Sequence, residues 1–186
     1  SPNVITSHEL EAMLARGNLR RPSDNRPPQR VVFLQCAGSR DPQHLPYCSA
    51  ECCATTLKQM AVIQREFPGV ETAVIYRDMR TPGQLERFYQ AVQAQPGSLF
   101  TQGEVSRIDE NGTGPLTVQL SESLLGSGVA LAADLVVLAT GMVPNSADGE
   151  AIRALHDAQL RAEKGESETQ RAQGRKMAEQ LAAHEG

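Results

Sequence analysis

Val31-Val32-Phe33-Leu34-Gln35-Cys36-Ala37-Gly38-Ser39-Arg40-Asp41 is the stretch on which the fold turns. Val31 to Leu34 is an apolar run too short for a helix, and Val31 to Gln35 reads as a strand buried in a sheet. The turn behind it is where a nucleotide-binding β-α unit carries G-x-G-x-x-G, whose glycines let backbone amides approach a pyrophosphate. Here that turn reads Cys36-Ala37-Gly38-Ser39-Arg40-Asp41, with one glycine left and a cysteine at its opening. Dinucleotide binding at this turn is not expected, and what stands in its place is sulfur.

Downstream, Cys53, Leu57, Met60, Ile63 and Phe67 recur at helical spacing, so a helix is predicted from about residue 50 to 67, stopped by Pro68-Gly69. Thr72 to Tyr76 is a second strand. A second helix, roughly residues 83 to 93, carries Leu85, Phe88, Tyr89 and Val92 on one side. This β-α-β-α order favours a parallel sheet with right-handed crossovers. Leu99-Phe100, Gly103 to Ile108, Leu116 to Leu120 and Val129 to Leu131 are short strand candidates separated by turn residues, and they suggest a small antiparallel meander. Leu135 to Ala139 returns as a continuous apolar run, the mark of a strand covered on both faces. The expected fold is α/β: a Rossmann-like three-layer domain with a parallel sheet plus a small antiparallel β-meander.

Upstream, Thr6 and Glu9 form a capping-box pattern before Leu10, Met13 and Leu14, so a short helix is expected, ended by Gly17. The segment from Arg20 to Arg30 is rich in proline and charge and reads as a solvated, extended linker, in preference to an anion-gripping arm. Beyond residue 145 the chain has no aromatic residue. Its thin apolar stripe of Ile152, Leu155, Met177 and Leu181 is interrupted by Gly165 and Gly174, so this tail is expected to be helical at most and to need a partner for its order. The expected organisation is residues 1–29, an N-terminal helix and Pro/Arg-rich linker; 30–146, the Rossmann-like domain; and 147–186, a polar tail.

All four cysteines of the chain, Cys36, Cys48, Cys52 and Cys53, lie within eighteen residues, spaced C-x11-C-x3-C-C. Four thiols gathered at one strand end, with none elsewhere, read as the ligand set of one metal centre. Ser49 is expected to cap the following helix, which places Cys52 and Cys53 in its first turn, where free amides and the helix dipole favour an anionic, thiolate-held iron–sulfur cluster. Cys53 falls on the apolar stripe, while Cys52, about 100° around the helix, turns toward the loop carrying Cys48. Pro42, Pro46, Gly38 and Tyr47 suit a loop of fixed shape. Structural zinc also takes four cysteines, but it favours paired C-x2–4-C knuckles, which are absent here. A vicinal disulfide or thiol redox site at Cys52-Cys53 is a third reading, and an inert buried Cys53 a fourth. His44, in the loop, reads as solvent-exposed, and Asp78 as a strand-end residue.

With 186 residues the chain has room for one medium domain with appendages. Its net charge of −4 gives no electrostatic footprint for nucleic acid. No apolar run approaches the roughly 20 residues of a membrane span, and the first thirty residues carry no signal-peptide core. Clustered cysteines argue against an extracellular disulfide framework and for a reducing, cytoplasmic setting. Beginning at Ser1, the chain reads as a processed product or an excised piece.

Val32-Phe33-Leu34-Gln35-Cys36-Ala37-Gly38-Ser39-Arg40-Asp41, Tyr47-Cys48-Ser49, Cys52-Cys53, Tyr76-Arg77-Asp78-Met79-Arg80, Glu86-Arg87-Phe88-Tyr89 and Asp134 to Pro144 together resemble the A-type flavoproteins of heterodisulfide reductase, including the related subunits of quinone-interacting membrane-bound oxidoreductases. The resemblance spans roughly residues 19–146 and implies a thioredoxin-reductase-like oxidoreductase with a second Rossmann-type domain, of the kind that binds NAD(P) in thioredoxin reductase. In that domain the cysteines matching Cys36, Cys48, Cys52 and Cys53 ligate a four-iron–four-sulfur (4Fe-4S) cluster. It further implies that Ala139-Thr140-Gly141 is where the chain passes back to an FAD domain, which makes Thr140 and Gly141 the cofactor-binding candidates. FAD itself would belong to the full-length parent. The implied function is electron transfer between flavin and the redox centres of partner subunits in a multi-subunit complex, with any membrane association made through such a partner. No residue of this piece is expected to make or break substrate bonds. The competing reading is a zinc-stabilised, four-cysteine interaction module with no redox role.

Overall fold

The structure, a computed structural model, describes residues 1–110, 112, 114–123, 126, 128–143, 149–165 and 167–182. Along the chain the elements are β1 (Val4–Thr6), α1 (Ser7–Ala15), β2 (Arg30–Leu34), α2 (Cys52–Glu66), β3 (Glu71–Tyr76), α3 (Leu85–Gln93), β4 (Ser98–Asp109), β5 (Leu116–Glu122), β6 (Gly128–Ala133), β7 (Leu135–Leu138), α4 (Gly149–Lys164) and α5 (Glu168–Ala182). The chain divides into two compact units, Ser1–Ala37 with Ala50–Thr140, and Gly38–Ser49 with Gly141–Gly186. Each is described by itself.

In the first unit a seven-stranded sheet runs in the order β1-β7-β2-β3-β4-β5-β6. The apolar runs occupy its centre: Val31, Val32, Phe33, Leu135, Val136 and Val137 are fully buried, because β7 and β2 are parallel neighbours, with Val31 opposite Leu135 and Leu34 opposite Leu138. One face packs Val31, Phe33, Val74, Leu135 and Val137 against Leu10 and Leu14 of α1, Leu57, Met60 and Ile63 of α2, and Val92 of α3. The other face, with Val32, Leu34, Ala73, Ile75 and Val136, is covered by Leu116, Val118, Leu120 and Ala133 of the meander. Helices on one side and antiparallel strands on the other complete three layers, the expected α/β architecture.

Several boundaries depart from expectation for identifiable reasons. The two short strands expected at 99–100 and 103–108 are one twelve-residue strand, β4. Its first half pairs parallel with β3 as far as Gln102, and from Gly103 it pairs antiparallel with β5. Gly103 permits the change of partner because a Cβ there would stand 2.5 Å from the carbonyl oxygen of Ser121. The meander is therefore the continuation of the main sheet. Val4 to Thr6 form an edge strand parallel to β7 that the sequence did not signal. The capping box behaves as expected: Thr6 Oγ1 accepts from Glu9 N at 3.2 Å, and the Glu9 carboxylate accepts from Thr6 N at 2.7 Å.

The proline- and arginine-rich segment is mostly exposed, yet it is fastened to the sheet. Asp134 accepts from Arg21 Nη1 at 3.1 Å, from Gln29 N at 2.9 Å and from Arg30 N at 3.0 Å. Arg21 also pairs with Asp24, and Arg30 reaches Glu71 on the neighbouring strand. Charge-assisted bonds from several donors to one carboxylate explain why an apparently extended linker holds a fixed course. Elsewhere, Gln59 of α2 donates to the Ser7 carbonyl at 2.8 Å and to Glu11 at 3.0 Å. Lys58 pairs with the same carboxylate, and these two partners hold the Glu11 carboxyl below its ordinary range. Tyr89 packs tilted against Phe100 with ring centroids 5.3 Å apart, and burial, with a hydrogen bond to Tyr76, pushes its hydroxyl up to about 12.

In the second unit, α4 and α5 pack as a helical hairpin. Gly174, expected to interrupt the helix, lies inside α5 and lets it approach α4 closely. A Cβ there would stand 2.8 Å from the Ala158 carbonyl and nearer still to the Ala162 amide. Ala158 is 1% exposed. Small residues at the crossing replace the wider apolar stripe that the sequence lacks. The side chain of Ile152 lies outside the described residues.

Candidate metal centre

Cys36 follows β2 after one intervening residue, at the carboxyl edge of the parallel strands. Its position is fixed by main-chain bonds on both sides, Gln35 N to the Ile75 carbonyl at 3.0 Å and Ala37 N to the Ala139 carbonyl at 3.1 Å. Cys36 adopts a left-handed backbone with φ 57°, as do Arg40 at 57° and Ala50 at 61°. For residues with a Cβ that conformation costs on the order of 1 kcal/mol each. Three such residues between β2 and α2 mark this segment as one whose backbone is set by something other than local preference.

Cys52 and Cys53 are the first two residues of α2. The expected Ser49 cap is absent. The residue at the cap position is Glu51, and no side chain caps the helix. Ser49 Oγ instead accepts from Met142 N at 2.8 Å and donates to the Met142 carbonyl at 3.4 Å. A backbone amide and carbonyl 93 residues away in sequence outcompete the local helix end for this hydroxyl. Cys53 sits on the apolar stripe as expected, 7% exposed, and its Sγ accepts the backbone N–H of Arg80 at 3.4 Å. That donor comes from the strand-end segment after β3, and no sequence pattern announces it. Gln35 is equally silent in the sequence. It is 9% exposed, and neither Nε2 nor Oε1 of its carboxamide has a hydrogen-bond partner, a condition worth about 1–3 kcal/mol of lost solvation per group.

In the second unit, Cys48 lies on a loop held by its own hydrogen bonds. Leu45 N donates to the Gly38 carbonyl at 2.9 Å, Asp41 N to the Leu45 carbonyl at 3.0 Å, and Arg40 N to the Tyr47 carbonyl at 3.1 Å. Tyr47 also donates its hydroxyl to the Met142 carbonyl at 3.4 Å. His44 is exposed and lies 3.0 Å from Asp41, the surface position expected of it. Gly141, with φ +87°, is wedged between Ser39 and Ser49: a Cβ would stand 2.6 Å from Ser49 Oγ and closer to Ser39. Gly141 thus has a local packing reason to be glycine. Thr140, at the end of the first unit, is exposed. Asp78, also in the first unit, accepts from Arg80 Nε at 3.4 Å, a strand-end role.

None of the four cysteines forms a disulfide; Cys36, Cys48 and Cys52 are half-buried and Cys53 is buried. Among the described residues no three Cys, His, Asp or Glu side chains stand close enough together to enclose a metal ion. The fit to a cluster therefore rests on donor chemistry. Thiolates are the ligands of iron–sulfur centres. Cys53 already receives a main-chain N–H at sulfur, and α2 begins at the two adjacent thiols, with its positive dipole end toward them. Those features suit a sulfur-ligated, anionic centre. Among the described residues no helix is long and apolar enough to cross a membrane.

No protein-family model matches the chain. Among curated proteins it is 41% identical over 155 residues to the second A-type iron-sulfur subunit of the CoB–CoM heterodisulfide reductase of Methanopyrus kandleri, covering 78% of this chain and 24% of that protein. It is 39% identical over 149 residues to the A-type component of the H(2):CoB-CoM heterodisulfide,ferredoxin reductase of Methanothermobacter marburgensis, covering 76% and 23%. It is 41% identical over 150 residues to the A-type iron-sulfur subunit of the CoB–CoM heterodisulfide reductase of Methanocaldococcus jannaschii, again covering 76% and 23%. The chain spans about a quarter of the length of these relatives. Among solved structures, L-lysine 6-monooxygenase from Pseudomonas syringae aligns with TM-score 0.49 at 12% identity, over 78% of this chain and 42% of that one. Thioredoxin reductase from T. acidophilum aligns with TM-score 0.46 at 10% identity, over 78% and 38%.

Proposed function

We propose, for a chain that is homologous to the A-type subunits of heterodisulfide reductase over 78% of its length, that it is an electron-transfer domain holding a four-iron–four-sulfur cluster on Cys36, Cys48, Cys52 and Cys53. The observation that carries this reading is the seating of adjacent thiols at the start of α2, with the Arg80 amide on Cys53 sulfur. Two of the relatives are themselves named iron-sulfur subunits. Bound here, the cluster would supply one-electron storage at a potential set by its ligands, hydrogen bonds and burial.

The chain's own residues hold and insulate. Cys53, packed on the helix stripe, would hold the cluster from apolar surroundings, and the Arg80 N–H would stabilise negative charge on its sulfur. The dipole of α2 acts in the same direction on Cys52 and Cys53. Cys36, fixed by main-chain bonds at the strand end, would offer its sulfur from the sheet. The loop of residues 38–49 contributes Cys48. Ala139-Thr140-Gly141 marks the return of the chain toward a flavin domain in the longer parent, with Thr140 exposed. Electrons would pass between that flavin and other subunits of a redox complex in a reducing, cytoplasmic setting.

Redox titration tests this. The chain purified without oxygen, after reconstitution with iron and sulfide, is expected to show a broad visible band that dithionite bleaches with one electron per chain and that a mild oxidant restores. A colourless chain that takes up no reducing equivalents, with zinc bound in its place, would overturn the proposal in favour of a structural four-cysteine module.

A further inference from the structure

Gln35 presents a contradiction that the fold alone does not resolve. It stands between the buried end of β2 and Cys36, its main-chain N–H is used by the Ile75 carbonyl, and its carboxamide is buried with both polar atoms unpartnered. An apolar residue of similar shape would satisfy the packing without leaving two polar atoms with no partner in the protein. Gln35 and Cys36 share the wall of a cleft of about 190 Å3, lined also by Leu34, Ile75, Arg77 and Glu104. Leu34 and Ile75 are apolar. Arg77 and Glu104 are paired with each other at 3.2 Å. Of the residues lining this cleft, Cys36 is the one whose sulfur would become a charged acceptor on cluster binding.

We propose that the Gln35 carboxamide is the hydrogen-bond donor to that sulfur, a positioning residue that tunes the centre through Cys36. This rests on the cluster reading above. An N–H···S bond stabilises the more negative, reduced form and so raises the reduction potential.

The test compares wild type with Gln35→Leu and Gln35→Met, variants that keep volume and remove both polar atoms. Thermal unfolding is measured on the iron-free chain, and the reduction potential on the reconstituted chain. In the iron-free chain both variants are expected to melt at the wild-type temperature or above it, because an unsatisfied group has been removed. With iron bound, both are expected to retain the wild-type iron content and to shift to more negative potential. An unchanged potential with four irons in place overturns this inference alone. So does a lower melting temperature, or failure to fold, in both iron-free variants, since either result gives Gln35 a structural task. A wild-type chain that binds no iron overturns the cluster reading, and this inference with it.

Discussion

Cys53→Ser is expected to leave the chain folded and to lower the iron retained after reconstitution and gel filtration by roughly tenfold. Of the four thiols this one is the most deeply placed, 7% exposed, and it accepts an amide at 3.4 Å. Serine is nearly isosteric, so α2 keeps its packing through Leu57, Met60 and Ile63, all fully buried. A hydroxyl in the same place costs about 1–3 kcal/mol for burying a polar group, less whatever the Arg80 amide returns. What serine cannot supply at neutral pH is a thiolate. Circular dichroism and elemental analysis on the same sample separate the two effects. Iron content equal to wild type would remove Cys53 from the ligand set, leaving it as a buried apolar residue.

Gly141→Ala is expected to lower the urea midpoint, with a loss of about 2–5 kcal/mol. Part of this is the left-handed backbone, about 1–2 kcal/mol for a residue with a Cβ, and part is overpacking, about 1–3 kcal/mol. Ser39 is 2% exposed and cannot swing into solvent, and Ser49 is engaged at both the amide and the carbonyl of Met142. The Cβ therefore meets groups that have nowhere to go. A loss below about 1 kcal/mol would show that the loop of residues 38–49 relaxes around the added carbon at little cost. The expected result links two sequence features that stand far apart, the cysteine-bearing loop and the Ala139-Thr140-Gly141 stretch.

The centre of the sheet was legible because burial on both faces leaves an unbroken apolar signature: Val31 to Leu34 and Leu135 to Leu138 could be read directly. So could α1, whose start is written in four consecutive residues by Thr6 and Glu9, and α2, whose stripe repeats for fifteen residues. What could not be read depends on partners distant in sequence. Three residues are too few to show a period, so β1 is visible only beside β7. Gly103 resembles a break in β4 until Ser121 explains why a side chain is excluded there. Asp134 pins Gln29 and Arg30 across more than a hundred positions, which turns an apparent linker into an ordered border.

The candidate centre divides along the same line. Its donor set was plain, since four cysteines in eighteen residues need no structure to be noticed. Its supporting atoms were not. Ser49 looked like a helix cap because nothing near it in sequence competes for its hydroxyl, whereas Met142 does so in space. The Arg80 amide on Cys53 and the unpartnered Gln35 carboxamide have no sequence signature, because main-chain donors and burial are products of the fold.

Everything functional here depends on which metal these thiols choose when both are offered. Iron, acid-labile sulfide and zinc should be quantified per chain after anaerobic reconstitution with iron, sulfide and equimolar zinc present together. The account predicts about four irons and four sulfides per chain with little zinc. One tightly held zinc per chain, with iron and sulfide removed on desalting, would contradict it.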